Sequence, residues 1–190
     1  AVWSSGIAGD AVIDRLICEL ADMAALGIRI GVAHVTWGHD RPAGDLACGL
    51  TRYLRAAEAA EKYGVKLALH PDDPPVPRLG DVERIMISKE NIRKAIYDIH
   101  PSENLGITMC QANYLAMGED VYDCIEHFGK QNKIFFVHFR DIAGTGECFH
   151  ETFHDNGPTD MVKALRTYQS VGFNGPIRVD HVPTMAGEAN

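Results

Sequence analysis

No apolar run in this chain of 190 residues reaches the roughly 18–20 residues needed to span a bilayer, so no membrane span is expected. Basic residues are in the minority: 18 Lys and Arg against 26 Asp and Glu give a net charge of -8. No basic stripe is available to release counterions from phosphates, which argues against a nucleic-acid partner. Paired cysteines are also missing. Cys18, Cys48, Cys110, Cys124 and Cys148 are odd in number and show no CxxC spacing, so a secreted disulfide scaffold is not expected and a reducing cytoplasm is. The opening AVWSSGIAGD has no basic stretch followed by an apolar one, so no signal peptide is expected. It has no initiator Met either, and reads as a piece of a longer chain.

What is present is ordinary for one globular domain: 46% hydrophobic and 23% charged residues, enough to bury a core. Apolar spacing predicts a helix over 10–26, with Asp10 placed to cap it and Gly27 to stop it. A β-rich run follows at 28–35. Helix returns over 45–63 and strand over 65–70, closed by PDDPP, which continues neither. Further helices are expected at 89–99 with Ser88 as cap, at 119–129, and at 159–171 with Thr159 as cap. Further strands are expected at 106–110, 133–141 and 176–181. KIFFVHFRD is nearly all apolar through its first half, as befits a strand buried on both faces.

Strands separated by helices of this length give a parallel α/β sheet. An open doubly wound sheet and a barrel both fit that alternation. The polar residues favour the barrel, because four of the five strands end in a metal-ligand type: His70, Cys110, His138 and Asp180. Chemistry gathered at strand C-termini belongs to (β/α)8 enzymes, whereas an open sheet concentrates it at one switch point. Five β/α units are visible where a barrel has eight, so the expectation is one partial barrel domain over residues 1–190.

Two imidazoles, a thiol and a carboxylate at neighbouring strand ends are able to converge on one divalent cation, and their spacings suit one ligand per βα unit. Side chains two apart on a strand share a face, so Arg140 is expected beside His138, and Arg178 beside Asp180. A cation flanked by guanidinium groups suits an oxygen-rich ligand that bears a carboxylate. By softness the donor set points to zinc or iron. The bland alternative makes each His a hydrogen-bonded core residue and Cys110 an inert buried thiol.

A second pattern competes. Residues 150–160, HETFHDNGPTD, satisfy the H-E-x-x-H motif, in which His150 and His154 bind zinc one helical turn apart, Glu151 acts as base and Asp160 is a third ligand. That geometry needs a helix, and Gly144 and Gly146 in the preceding AGTGECF break one. A polar βα loop with substrate contacts, His154 among them, is the simpler reading. Weaker candidates are His34 and Trp37 at the end of the first strand, and Asp72 and Asp73, placed either to orient His70 or to form a turn. His100 and His127 lie near helix ends, where a dipole contact accounts for them. Cys18, Cys48 and Cys124 fall in or beside helices.

LALHPDDPP (67–75), ITMC (107–110), FFVHFRDI (135–142), FHETFHDNGPTDM (149–161) and RVDHVPTM (178–185) together resemble the mannonate dehydratase family, in the family's order from about residue 45 onward. The resemblance implies a xylose-isomerase-like (β/α)8 barrel that removes water from D-mannonate to give 2-keto-3-deoxygluconate in hexuronate breakdown. It implies Mn2+ or a similar ion such as Fe2+, held by His70, Cys110, His138 and Asp180. His181 would be an acid/base candidate, with Arg140 a further catalytic candidate. Arg140, Arg178 and His154 would bind the sugar acid. A cytoplasmic homo-oligomer is expected. The alternatives are an isomerase or epimerase on a related barrel, an HExxH-type zinc peptidase, and a non-catalytic barrel fragment that binds a metal or a partner.

Overall fold

The computed structural model describes residues 10–34, 46–80 and 82–187. Helix α1 (Asp10–Ala25) leads into strand β1 (Ile30–His34), and α2 (Leu46–Tyr63) into β2 (Lys66–His70). A short antiparallel pair follows, β3 (Arg78–Leu79) with β4 (Val82–Glu83). Helix α3 (Lys89–Lys94) runs on into a π-helical turn, Ala95–Ile99, before β5 (Leu105–Cys110). Then come α4 (Gln111–Ala116), α5 (Val121–Gly129) and β6 (Ile134–His138). The chain continues through β7 (Asp141–Thr145), β8 (Cys148–Thr152), α6 (Met161–Ser170) and β9 (Ile177–Arg178).

Strands β1, β2, β5, β6 and β9 lie side by side in that order, all parallel, in one curled sheet. All six residues of β5 are buried, as its apolar LGITMC sequence requires of a central parallel strand. Leu67, Leu69, Leu105, Ile107, Met109 and Val137 from the strands pack in one core with Ile92, Ile96, Ile125, Phe128 and Tyr168 from the helices. Burying each such side chain stabilises the fold by about 1.5–3 kcal/mol. The register then decides the chemistry: His34 stands opposite His70, Cys110 opposite His138, and His138 opposite Arg178. The strand ends are level, which brings the side chains of His70, Cys110 and His138 together.

The alternation expected from the sequence is present, with local differences. Helix α6 is capped by Asp160, whose carboxylate accepts from Lys163 N, and not by Thr159. Thr159 instead donates through Oγ1 and its amide to the buried Asp141 carboxylate at 2.8 and 2.9 Å. The β6–α6 connection is a βα loop as expected, but residues 141–152 within it form an antiparallel hairpin of β7 and β8. Gly144, paired with Phe149 inside β7, permits the close approach of the two strands: φ is +114°, and a Cβ there would collide with the carbonyl oxygen of Cys148. The last strand is shorter than 176–181, pairing only over Ile177–Arg178. Finally, α4 starts directly after Cys110, where the sequence showed no periodic segment.

A candidate metal centre at the strand ends

His70, Cys110, His138 and Asp180 bring one ligand-type atom each to within 4.8 Å of one another. His70 Nε2 lies 3.0 Å from His138 Nδ1, and His138 Nδ1 lies 3.3 Å from Asp180 Oδ2. Three of the four are buried, and Asp180 is 10% exposed. Asp180 stands two residues past the end of β9, and this brings its carboxylate back over the sheet end.

The His70 ring supplies a direct test of whether these residues fit an ion. Its Nδ1 is 2.6 Å from the Pro71 carbonyl oxygen, which can only accept. The proton therefore resides on Nδ1, and the Nε2 lone pair faces the cluster, the arrangement of a metal-ligating imidazole. Burial pushes the Cys110 thiol up to about 12, against a weaker downward pull from Arg140. A thiol held so high deprotonates when a cation takes up its charge. The donor set fits one divalent ion.

Around the cluster lies a polar layer that sequence reasoning placed only in part. Arg140, 3% exposed, donates through Nη1 to Asp73 Oδ2 at 2.6 Å and to Asn113 Oδ1 at 3.1 Å. Its Nε and Nη2 both reach the Glu151 carboxylate, and Nη1 is 3.9 Å from Cys110 Sγ. Burial opposes the charge on Arg140, but Glu151, Asp73 and the sulfur outweigh it, so the guanidinium is held above its ordinary value. Arg140 therefore lies beside Cys110, and it is engaged by the chain's own carboxylates. Asp72 does not orient His70. It accepts from Met86 N at 2.8 Å and pairs with Arg84 at 3.5 Å, while burial raises its pKa.

The other candidates divide. His181, 58% exposed, sets Nε2 3.5 Å from Asp180 Oδ2, the oxygen that faces His138. A continued strand would have sent the two to opposite faces, but pairing ends at Arg178. Arg178 is exposed on the edge strand. His154 stacks on Phe139 with ring centroids 5.6 Å apart and hydrogen-bonds the Phe139 carbonyl through Nε2. Trp37 lies outside the described residues. His100 pairs with Glu61 at 3.1 Å, and His127 packs edge-on to Phe128. The H-E-x-x-H stretch does not form its motif: His150 and Glu151 lie on strand β8 and Asp160 is a helix cap. The zinc-peptidase alternative thus loses the helical spacing it needs. Sequence reasoning missed Asn113, whose one signal is its place three residues after Cys110.

A curled sheet of parallel strands, with ligand-type side chains converging at their C-terminal ends, is part of a (β/α)8 barrel of the xylose-isomerase-like class. A xylose isomerase domain protein from Planctomyces limnophilus superposes with a TM-score of 0.69 at 16% identity, over 90% of this chain and 59% of that one. The chain belongs to the mannonate dehydratase family: the family model described as D-mannonate dehydratase (UxuA) matches residues 44–190. Mannonate dehydratase 2 of Halalkalibacterium halodurans is 39% identical over 149 residues, covering 76% of this chain and 43% of that relative. The chain thus spans under half the length of that protein. The crystal structure of mannonate dehydratase from Streptococcus suis serotype2 superposes with a TM-score of 0.81 at 24% identity, covering 95% of this chain and 65% of that one. Among the described residues, no helix is long and apolar enough to cross a membrane.

Proposed function

We propose that this protein is a metal-dependent hydro-lyase that converts D-mannonate to 2-keto-3-deoxy-D-gluconate in cytoplasmic hexuronate catabolism. The observation that carries the reading is the convergence of His70, Cys110, His138 and Asp180 in a member of the mannonate dehydratase family. These four residues would hold the ion, with Mn2+ the metal the family implies and Fe2+ a close substitute. A bound divalent cation supplies Lewis acidity to the oxygens of the substrate carboxylate.

The chain's own residues do the rest. Removing the C2 proton beside a carboxylate builds negative charge on its oxygens, and the C3 hydroxyl must leave with a proton. His181 is exposed at the rim beside Asp180, where its imidazole can take or give that proton. Arg178, exposed on β9, offers its guanidinium to the sugar acid. Arg140, paired with Glu151 and Asp73, sets its guanidinium behind Cys110 and backs the ligand sulfur. His154 hydrogen-bonds a carbonyl through Nε2, so that nitrogen keeps its proton and Nδ1 remains an acceptor for a substrate hydroxyl. A homo-oligomer is the assembly we propose.

The test is product formation. Chelated protein is incubated with D-mannonate, with and without added Mn2+, and the keto-deoxy acid is measured. Product that depends on added metal is expected. Metal-loaded protein that makes no keto-deoxy acid contradicts the assignment, and an epimeric or isomeric sugar as product assigns the site to the related isomerase chemistry.

A further inference from the structure

Behind the four candidate ligands lies a buried amide for which the reaction proposed above has no use. Asn113 sits in the first turn of α4 and is 1% exposed. Its Oδ1 accepts from Cys110 Sγ at 3.0 Å and from Arg140 Nη1 at 3.1 Å, and its Nδ2 donates to the Asp72 main-chain carbonyl at 2.8 Å. Arginine can only donate and a carbonyl can only accept, so the two ends of the amide cannot be exchanged. A carboxylate here would turn an oxygen on the Asp72 carbonyl. An apolar side chain would leave that carbonyl and Arg140 Nη1 buried with bonds unmade. Only an amide answers both sides.

Two partners of Asn113 each follow a ligand closely in sequence, Asp72 two residues after His70 and Arg140 two after His138, and the third is the ligand Cys110 itself. Asn113 itself comes three after Cys110. One side chain therefore ties together the ends of β2, β5 and β6, the three strands that carry the buried ligands. Arg140 is in turn fixed by Glu151 from the β7–β8 hairpin.

We propose that Asn113 is a positioning residue of the metal centre: through Arg140 and the Asp72 carbonyl it holds the ends of β2, β5 and β6 at the spacing the ion requires, and it accepts from the Cys110 thiol until the ion takes up the sulfur. This rests on the metal-centre reading above. Groups that orient metal ligands typically change affinity by about 10–100-fold when removed, and that loss is expected for Asn113→Ala.

The experiment is a Co2+ titration of chelated wild-type and Asn113→Ala protein, read by the near-ultraviolet thiolate-to-cobalt band, with the melting temperature of each metal-free protein measured alongside. A 10–100-fold weaker Kd with a shifted or weakened thiolate band, in a metal-free protein that still melts cooperatively, is the expected result. A role in folding alone would lower the melting temperature and leave the band of the loaded protein in place. Asn113→Ser keeps a polar group in the pocket but falls short of Cys110 and Arg140, so it is read in the same way if the alanine variant does not fold. Wild-type affinity and an unmoved band in a folded variant overturn the proposal alone. A wild-type protein that takes up no Co2+ overturns the metal centre itself, and this proposal with it.

Discussion

Arg140 lays one edge of its guanidinium along the carboxylate of Glu151, with Nε 3.0 Å from Oε2 and Nη2 2.5 Å from Oε1. The first residue follows a sheet strand and the second lies on a hairpin, so this paired contact fastens the hairpin across the end of the sheet. It also turns a residue that sequence alone reads as a substrate clamp into part of the frame.

Glu151→Gln removes the charge from that contact while Asp73 still holds Nη1. Hydrogen bonds to charged groups contribute about 1.5–3 kcal/mol each, and a loss in that range is expected in urea unfolding. Since Glu151 is 23% exposed against 3% for Arg140, the lower half of the range is expected. No loss would mean that the hairpin is held by other contacts.

Gly157 has no room for a side chain. A Cβ there would collide with Asp141 Oδ2 and Thr152 Oγ1, and Asp141 is the acceptor that anchors Thr159. Gly157→Ala is expected to cost about 1–3 kcal/mol as an overpacking change. The measurement is thermal unfolding, and an unchanged midpoint would mean that the Asp141 and Thr152 side chains move aside.

His127 introduces a pH dependence remote from the candidate site. Its Nε2 is buried with no hydrogen-bond partner among the described residues. Burial, and after it Lys89, holds its pKa below the ordinary 6.5, with Asp123 pulling weakly the other way. The unfolded chain then binds this proton before the folded chain does. Stability that is present above the unfolded value is lost as pH falls through the window down to the folded one. The urea midpoint is expected to drop between about pH 7.5 and about pH 5.5, and to drop less in His127→Leu. Equal drops would remove His127 as the cause.

The two histidine motifs separate by mutation. His70→Ala is expected to abolish metal uptake, measured by equilibrium dialysis. His150→Ala, on the exposed face of β8, is expected to leave it unchanged. The reverse pattern would restore the H-E-x-x-H reading.

The parallel frame was legible because apolar runs such as LGITMC and IFFVH alternate with amphipathic helices, and the ligand set because each run ends in a donor side chain. What escaped the sequence was contact between elements. Nothing near Arg140 announces that Glu151, eleven residues on, will occupy it, because a hairpin with its turn at Gly146 reads in sequence as a polar loop. Asp160 outcompetes Thr159 as helix cap because the buried Asp141 claims the threonine, a tertiary demand that no local rule contains. Asn113 stayed hidden because a lone amide three residues after a cysteine has no motif, and it acquires meaning only when Arg140 and the Asp72 carbonyl arrive from other strands.

The most direct measurement is anomalous diffraction from crystals of the protein grown with Mn2+. A single peak bounded by His70 Nε2, Cys110 Sγ, His138 Nδ1 and Asp180 Oδ2 is the expected result. Well-ordered crystals with those four atoms in place and no peak among them, or with the ion bound at His150 and His154, would contradict the metal centre on which the proposed chemistry depends.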